Sequence, residues 1–550
     1  MTVVPLNVRL TDPPVALIMS AAYVEQELAA EFGHLPPCFL PVATQRLYEH
    51  QRSLFPADWV VHVALPESFD LPPIDRARMA ALNLSPLSLP DGLSLGGAVA
   101  SALERIAGAD RPVVILHGDT LVDRLPVVAS DWLAVAERGE GYAWAEVELD
   151  GGRVVGLETV EAGAARERPR PVLCGAFAFG SGAGLVGAID RAEGDFIQGI
   201  LRYATEHRVS VVPVAAWYDF GHVQTFFRSR RVVSSARSFN TLQIDGRIAR
   251  KISADTDKMR AEAYWLDAVP PEIRIYAARL LREGSDPDGR RFYETEYAYL
   301  PTLAELFVFG TLGRTAWMRV LQSCRQFLVA TATATEPRAS GDAALAALIL
   351  DKTERRLRDF ADATGFSVDA GLRLDGRPLP SLMRIAADLA DRVDLRSGRP
   401  TCVMHGDFCF SNILYDSRVQ RVRVIDPRGT IAGTPTIYGD LRYDLAKLAH
   451  SIVGRYDQII AGRYTTLPDD GRHFGITFET APHHAMLAEA LPGFVVDGVS
   501  ADGAEVQAIT AGLFLSMLPL HADRPDRQRA FIANALRLYS ALEQAQDKAA

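Results

Sequence analysis

Three oxygen-bearing side chains, Asp407, Asn412 and Asp426, follow one another closely in the second half of the chain. Phosphoryl transfer requires a carboxylate beside the attacking hydroxyl and oxygen ligands for the Mg²⁺ that binds the phosphates. Asp407 would orient and deprotonate the hydroxyl, and Asn412 and Asp426 would bind Mg²⁺, which prefers hard oxygen donors. Read singly, these residues could merely cap a strand or fill a turn, but a turn does not require a metal-binding aspartate one strand later. The segment therefore predicts an ATP- and Mg²⁺-dependent kinase site.

A kinase also needs a cation on the nucleotide phosphates, held in place by an acidic partner. Two β-rich runs joined by Asp-Gly predict a hairpin over residues 242–252, and Lys251 lies in its second strand. Glu262 lies on a helix predicted over residues 258–266, so we expect an ion pair between Lys251 and Glu262. Because side chains alternate along a strand, Arg250 must face away from Lys251. The alternative is that Lys251 is an ordinary solvated lysine.

The motifs around these residues resemble those of aminoglycoside and choline-type phosphotransferases. They run in the family's order through His405–Asn412, Ile425-Asp426 and Gly439–Ala446. The resemblance implies a bilobal, protein-kinase-like fold in which Asp407 is catalytic and Asn412 and Asp426 bind nucleotide and metal. It gives His405 no proton transfer, so we expect His405 to brace the loop. Asp444 is expected to support the catalytic loop, and Arg428, beside Asp426, to contact phosphate or substrate.

Landmarks in the first half resemble those of sugar-1-phosphate nucleotidyltransferases, namely Leu35–Val42, Leu116–Thr120, Gly175–Phe179 and Trp217–His222. The resemblance implies that Asp119 and Asp219 hold Mg²⁺ between a nucleotide and a sugar phosphate. Without this resemblance, Asp119 could simply be the last residue of a strand, and Trp217 could belong to the hydrophobic core.

The phosphate-binding loop of this region departs from the family. Its counterpart, Ser20–Glu31, contains three glutamates and no glycine, and Pro37 or Cys38 stands at the position of the family's lysine. An acidic loop repels a triphosphate. We therefore expect the N-terminal domain to bind a sugar, a sugar phosphate or a nucleotide without ordinary transfer activity. The alternative is an active domain with a rearranged loop.

Alternating β-rich and helical patterns over residues 1–235 predict an α/β domain with a mainly parallel sheet. A β-rich lobe over 236–301 and a helical lobe over 302–550 follow, with a mobile loop expected at Arg282–Arg291. The predicted fold class is α/β followed by α+β, a Rossmann-like nucleotidyltransferase-type domain joined to a bilobal kinase-like domain.

The composition of this 550-residue chain limits the classes of partner that we expect it to bind. It has 48% hydrophobic residues, a net charge of -10 and five cysteines without a CxxC pair. We expect a cytoplasmic, multidomain enzyme with reduced thiols that acts on a small molecule and binds neither nucleic acid nor membrane. The predicted function is phosphorylation of a hydroxyl on a sugar or related metabolite. Two alternatives stay open: a bifunctional kinase and nucleotidyltransferase making an activated sugar for surface polysaccharide, and a pseudokinase scaffold.

Overall fold

A computed structural model describes residues 14–106, 111–126, 131–137, 142–161, 170–235, 241–468 and 471–549. The chain divides into two compact units, an N-terminal unit Met1–Val233 and a C-terminal unit Ser234–Ala550. The domain limits predicted at residues 235 and 301 stay predictions. In the described ranges, no helix is both long and apolar enough to cross a membrane. All five cysteines are buried and unpaired, which agrees with the expectation of reduced thiols.

The N-terminal unit is an α/β structure. Its strands are β1 (Val15–Met19), β2 (Pro41–Val42), β3 (Gln45–Arg46), β4 (Val61–Pro66), β5 (Leu84–Leu89), β6 (Val113–His117), β7 (Thr120–Val122), β8 (Trp132–Ala136), β9 (Trp144–Asp150), β10 (Arg153–Val160), β11 (Val172–Phe179), β12 (Ser210–Pro213) and β13 (Trp217–Asp219). Its helices are α1 (Gln26–Phe32), α2 (Leu47–Arg52), α3 (Pro73–Ala81), α4 (Leu95–Arg105), α5 (Gly182–Asp190), α6 (Phe196–Glu206) and α7 (Val223–Ser235).

The main sheet of this unit has the order β10-β9-β11-β6-β1-β4-β5, with β8 paired to β11 and β12 paired to β8. The strands β6, β1, β4 and β5 are parallel, but β9, β10 and β11 pair antiparallel with their neighbours. The prediction of a mainly parallel sheet is therefore wrong, because the sheet is mixed. Gly151 and Gly152, both with positive φ, form the tight turn between β9 and β10, and so short a link can join only antiparallel neighbours.

The C-terminal unit begins with the antiparallel sheet β14-β15-β17-β16, formed by β14 (Thr241–Asp245), β15 (Ile248–Ser253), β16 (Leu280–Ser285) and β17 (Arg291–Glu296). The predicted hairpin is confirmed, with Asp245 opposite Ile248. The mobile loop predicted at Arg282–Arg291 is wrong for half of its length. It forms the ends of β16 and β17 and a turn in which Asp286 accepts hydrogen bonds from the amides of Asp288 and Arg290.

Mainly helical structure follows β17, and the first two helices of the unit lie between β15 and β16. The helices are α8 (Thr256–Ala268), α9 (Pro271–Arg274), α10 (Leu303–Phe309), α11 (Arg314–Thr333), α12 (Gly341–Ile349), α13 (Asp351–Thr364), α14 (Leu382–Asp391), α15 (Leu441–Ile452), α16 (Tyr456–Ile460), α17 (Pro482–Ala490), α18 (Ala504–Ser516) and α19 (Pro525–Ala549). The remaining strands are short: β18 (Thr335–Ser340), β19 (Leu372–Leu374), β20 (Arg377–Leu379), β21 (Pro400–Val403), β22 (Ile413–Asp416), β23 (Arg421–Val424), β24 (Thr430–Ile431), β25 (Thr434–Pro435), β26 (Tyr438–Gly439), β27 (Tyr464–Thr466), β28 (His473–Phe474), β29 (Ile476–Phe478), β30 (Val495–Val496) and β31 (Val499–Ser500).

The core of this unit positions the loop that carries Asp407. Helix α15 is buried along its whole length, and Leu445, Leu448 and Ile452 are fully inaccessible. The Asp440 side chain caps its N-terminus by accepting a hydrogen bond from the amide of Arg442, which stabilises the first turn. A helix buried on every side cannot shift without opening the core. It therefore provides a rigid support beside the loop after β21.

Candidate active site

Asp444 on α15 supports the loop that follows β21. Its two carboxylate oxygens accept hydrogen bonds of 2.7 Å from the amides of His405 and Gly406. Gly406 has a φ of 76°, and a Cβ there would lie 2.6 Å from the Cβ of Arg428, so only glycine fits without displacing its neighbours. Asp444 thus supports the loop as expected.

His405 braces the same loop from inside. Its ring is fully buried against Trp265, and its Nδ1 accepts a hydrogen bond from the amide of Asp407 at 3.3 Å. Burial lowers the pKa of His405 to about 4. The ring is therefore neutral near pH 7 and suited to bracing, as expected, and not to carrying a charge.

Asp407 extends from this loop and is held at both oxygens. Asn412 Nδ2 donates to Oδ2 at 2.9 Å, and the Lys447 ammonium lies 2.8 Å from Oδ1. Burial opposes charge on both members of the pair, but their attraction prevails. It holds the pKa of Asp407 well below its usual range and raises that of Lys447. Asp407 is therefore a carboxylate throughout the physiological pH range.

Asp426 follows β23 and has a φ of 56°, a strained conformation for a residue other than glycine. Its side chain faces Lys251, whose ammonium lies 3.0 Å from Oδ1, while 41% of the Asp426 side chain remains exposed. Tyr293 on β17 places its hydroxyl 3.3 Å from the same oxygen. An exposed carboxylate with one cationic neighbour retains lone pairs for another ligand.

Lys251 and Glu262 form the expected ion pair, with 2.7 Å between Nζ and Oε2. The hydroxyl of Tyr293 donates to the same Glu262 oxygen at 2.8 Å. Burial opposes the charge of Lys251, but Asp426 and Glu262 outweigh it and raise its pKa. Arg250 faces the other side of the sheet, where it pairs with Glu294 and its guanidinium lies 4.3 Å from the Phe292 ring centre.

One cleft of about 960 Å³ lies within the C-terminal unit. It is lined by all six residues that were predicted from the sequence for this site: Lys251, Glu262, Asp407, Asn412, Asp426 and Arg428. Arg428 donates to the carbonyl of Gly406 at 3.1 Å and lies over the ring of Tyr443. The carboxylates of Asp407 and Asp426 thus face the same nucleotide-sized space, as a joint role in the reaction requires.

In the N-terminal unit, Asp119 and Asp219 lie side by side. Asp219 ends β13 opposite Thr120, and the amide of Phe220 donates to the carbonyl of Asp119 at 2.8 Å. Burial and the neighbouring Asp219 charge raise the pKa of Asp119 to about 7. His222 lies 3.1 Å from the Asp219 carboxylate. The pair predicted from sequence is therefore brought together.

The acidic loop before Asp119 forms local structure of its own. Glu25 stands at the N-cap position of α1 and Glu27 in its first turn, where negative charge is favourable. Both are exposed, whereas Glu31 is buried. Pro37 and Cys38 lie in a short 3-10 turn, and the amide of Cys38 donates to the hydroxyl of Ser20. Neither Pro37 nor Cys38 can supply the positive charge of the lysine expected at this position.

Residues 247–475 match the family model described as "phosphotransferase enzyme family". The C-terminal unit contains a phosphotransferase (APH) domain. This span includes both members of the Lys251–Glu262 pair and all three residues of the Asp407 motif, and it confirms the resemblance seen in the sequence. A search of curated proteins found no match.

Solved structures similar to this chain include nucleotidyltransferases and an aminoglycoside phosphotransferase. A nucleoside-diphosphate-sugar pyrophosphorylase from Vibrio cholerae is 14% identical and covers 39% of this chain and 99% of its own, with a TM-score of 0.33. A CTP:phosphocholine cytidylyltransferase from Streptococcus pneumoniae is 14% identical and covers 40% and 100%, with a TM-score of 0.31. A thermostable mutant of an aminoglycoside phosphotransferase is 13% identical and covers 54% and 89%, with a TM-score of 0.32.

The donor set of the phosphotransferase domain fits a divalent cation that keeps ligands from its substrate. Asn412 uses its amide nitrogen on Asp407, so its carbonyl oxygen is left for a cation, and Asp426 offers an exposed carboxylate. Within the described ranges, no three histidine, cysteine, aspartate or glutamate side chains are grouped to hold a metal alone. Mg²⁺ commonly binds through one or two carboxylates together with substrate phosphates, so two protein ligands suffice.

Sequence reasoning missed Lys447, the counter-ion of Asp407. A signal was present, because Lys447 lies three residues after Asp444 on α15, so both project from the same helix face. It also missed Lys352 and Arg356, which line the cleft from α13. No motif accompanies those two in the sequence, and only the packing of α13 brings them to this cleft.

Proposed function

We propose that the C-terminal unit is a kinase that transfers the γ-phosphate of ATP to a hydroxyl of a sugar or related small metabolite. One observation carries the proposal: Asp407, Asn412, Asp426 and the Lys251–Glu262 pair line the same cleft. Each residue type matches one requirement of phosphoryl transfer. Lys251 provides a cation for the nucleotide phosphates, and Asp407 provides a carboxylate for the acceptor.

Asp407 positions the acceptor. Because both of its oxygens are already held by Asn412 and Lys447, the carboxylate has a fixed orientation and its remaining lone pairs can accept a hydrogen bond from a hydroxyl. The hydroxyl oxygen then bonds to the γ-phosphorus, the bond from that phosphorus to the β,γ-bridging oxygen breaks, and ADP leaves. The hydroxyl proton passes to Asp407. A carboxylate of such low pKa accepts it late, so alignment is its larger contribution.

Lys251 and Asp426 serve the nucleotide. Lys251, fixed by Glu262, would bind the α- and β-phosphates, which would replace Asp426 as its second anionic neighbour. Asp426 and the carbonyl oxygen of Asn412 would then hold Mg²⁺, which neutralises charge on the phosphates when bound. Arg428 would contact phosphate or substrate from beside Asp426.

ADP release from Mg·ATP in the presence of sugars and sugar phosphates tests the proposal. We expect Asp407→Asn to lower kcat by about 100-fold or more and Lys251→Met to weaken ATP binding. Arg250→Met, on the opposite face of the same strand, is the matched control and should leave both values unchanged. Full turnover in a folded Asp407→Asn variant would refute the kinase assignment. ATP binding without turnover on any acceptor would indicate a pseudokinase scaffold.

For the N-terminal unit, we propose binding of a sugar, a sugar phosphate or a nucleotide. A second candidate is a bifunctional enzyme that also couples its product to a nucleotide for surface polysaccharide. The adjacent Asp119 and Asp219 carboxylates favour it, because two such groups could hold the predicted Mg²⁺. Pyrophosphate release from a nucleoside triphosphate and a sugar 1-phosphate, lost in Asp119→Asn, would support this candidate. Sugar phosphate binding without pyrophosphate release would leave only the binding role.

A further inference from the structure

Three cations line the active-site cleft without an acidic partner. Lys352 and Arg356 come from α13 and Arg428 follows Asp426. Within the ranges the structure describes, no carboxylate lies within 4.0 Å of the charged nitrogens of these residues. All three are half-buried, so water screens them less than it would on an open surface. An uncompensated group of like charges in a cleft is unfavourable unless a ligand supplies the opposite charge.

Other cations of this site are neutralised. Lys251 lies within 3.0 Å of Glu262 and Asp426, and Lys447 lies 2.8 Å from Asp407. Among the residues that the structure describes, Lys352, Arg356 and Arg428 therefore lack a carboxylate within 4.0 Å, although carboxylates neutralise other cations in the same cleft.

The three side chains form one group. Lys352 and Arg356 are one helical turn apart on α13, so they project from the same face. Arg356 donates to the carbonyl of Ser516 at 2.8 Å, and the Arg428 guanidinium lies 5.5 Å from the centre of the Tyr443 ring. Arg428 also donates from Nε to the carbonyl of Gly406 and from Nη2 to the hydroxyl of Tyr443, at 3.1 and 3.3 Å. These contacts fix both guanidinium groups and still leave N–H groups of each for a ligand.

The group lies on the acceptor side of the cleft. Arg428 donates to the carbonyl of Gly406, the residue before Asp407, at 3.1 Å. Lys352 is close enough to Arg428, Lys447 and Asp407 for their charges to act on it. Lys251 instead interacts with Asp426 and Glu262. The unpaired cations are thus neighbours of the residue proposed to position the acceptor, and the nucleotide phosphates already have a cation of their own.

We propose that Lys352, Arg356 and Arg428 form an anion subsite, so that the acceptor carries a phosphate ester or a carboxylate besides its reacting hydroxyl. The inference rests on the proposed kinase function and specifies its substrate class. Guanidinium groups match the oxygens of phosphate and carboxylate and bind them through paired hydrogen bonds. A cationic acceptor, such as an amino sugar, would be repelled by the same residues.

The titration of Lys352 agrees with this arrangement. Burial, and then the charges of Arg428, Arg356 and Lys447, lower its pKa to about 6. An anion bound among these residues would reverse that effect and stabilise the protonated form.

Binding of inorganic phosphate to the full chain provides the first test. The nucleotide site is first saturated with Mg²⁺ and the non-hydrolysable analogue adenylyl imidodiphosphate, and phosphate is then titrated by calorimetry. We expect Arg356→Met and Arg428→Met each to weaken phosphate binding by roughly tenfold, because each removes a charged hydrogen-bond donor. Arg355→Met is the matched control, since Arg355 is exposed on the same helix outside the cleft. Equal phosphate affinity in all variants would overturn the subsite.

Transfer to matched acceptors provides the second test. Radiolabelled ATP is offered with a neutral sugar, its monophosphate ester and the corresponding sugar acid, and we expect transfer to one or both anionic forms in preference to the neutral one. For the preferred acceptor, Lys352→Met should raise KM by about tenfold with a smaller change in kcat. Preferred transfer to the neutral sugar would refute the subsite while supporting the kinase. Failure to bind the ATP analogue would instead refute the kinase function itself.

Discussion

Replacing Lys447 by methionine removes the counter-ion of Asp407 while keeping much of the side-chain volume. The Lys447 side chain is 9% exposed and that of Asp407 is 37% exposed, with 2.8 Å between the charged atoms. Breaking a fully buried pair costs about 3–5 kcal/mol, and an exposed pair contributes about 0–1 kcal/mol. Because Asp407 faces the cleft, we expect an intermediate loss in the free energy of unfolding of about 2 kcal/mol at pH 7.5.

The loss should depend on pH in a direction that the charges determine. In the wild type the folded-state pKa of Asp407 lies below its unfolded value, so the resulting stability is present above about pH 4 and is lost as pH falls. Without Lys447, burial acts with less opposition, and we expect the folded-state pKa of Asp407 to rise above the unfolded one. The variant then loses stability as pH rises from about 4 through that raised pKa, by about 1.4 kcal/mol for each unit of difference. Lys447 itself remains charged across this range.

Urea denaturation of the full chain at about pH 3 and at pH 7.5 measures this dependence. Lys258→Met is the matched control, because Lys258 is 48% exposed and lies 3.8 Å from Glu262, so it should cost less than about 0.5 kcal/mol at either pH. The deficit of Lys447→Met should be smaller at about pH 3, where protonation of Asp407 in the unfolded chain removes part of the wild-type stabilisation, and largest at pH 7.5. The same deficit at both pH values would show that Lys447 contributes through packing alone, and the assignment of Asp407 as its charge partner would be wrong.

Three further predictions concern other groups. Lys352→Met should raise the free energy of unfolding by about 1 kcal/mol at pH 7, because its folded-state pKa of about 6 lies below that of an unfolded lysine and its charge is therefore disfavoured; a destabilised variant in urea titrations would contradict this. Asp119→Asn should stabilise the metal-free chain by about 1 kcal/mol at pH 8 and by less at pH 4, because a raised folded-state pKa costs stability as pH rises from about 4 to 7; equal unfolding midpoints in EDTA would refute the charge coupling with Asp219. Gly429→Ala should destabilise the C-terminal unit by at least about 1–3 kcal/mol, since a Cβ would lie 1.9 Å from the carbonyl oxygen of Ala261 and φ is positive; wild-type melting would show that α8 can move away.

Local features were predictable because they depend on neighbouring residues. The Asp-Gly turn sets the hairpin register, and strand alternation then turns Lys251 towards Glu262 and Arg250 towards Glu294. The spacing of Asp407 and Asn412 keeps both side chains in one loop, where they hydrogen-bond directly. The sequence by itself therefore determined the core of the candidate site and the type of chemistry.

Only the tertiary structure decided which charges surround that site. Lys447 reaches Asp407 from a helix forty residues later in the chain, and Lys352 reaches the cleft from α13, more than fifty residues before Asp407. The mixed order of the N-terminal sheet is likewise a matter of distant pairing. Hydrophobic burial specifies which faces pack together, but not from local pattern alone which distant side chains then meet. The motif thus predicts phosphoryl transfer, and the packing of α13 and α15 sets the charge of the space that an acceptor must enter.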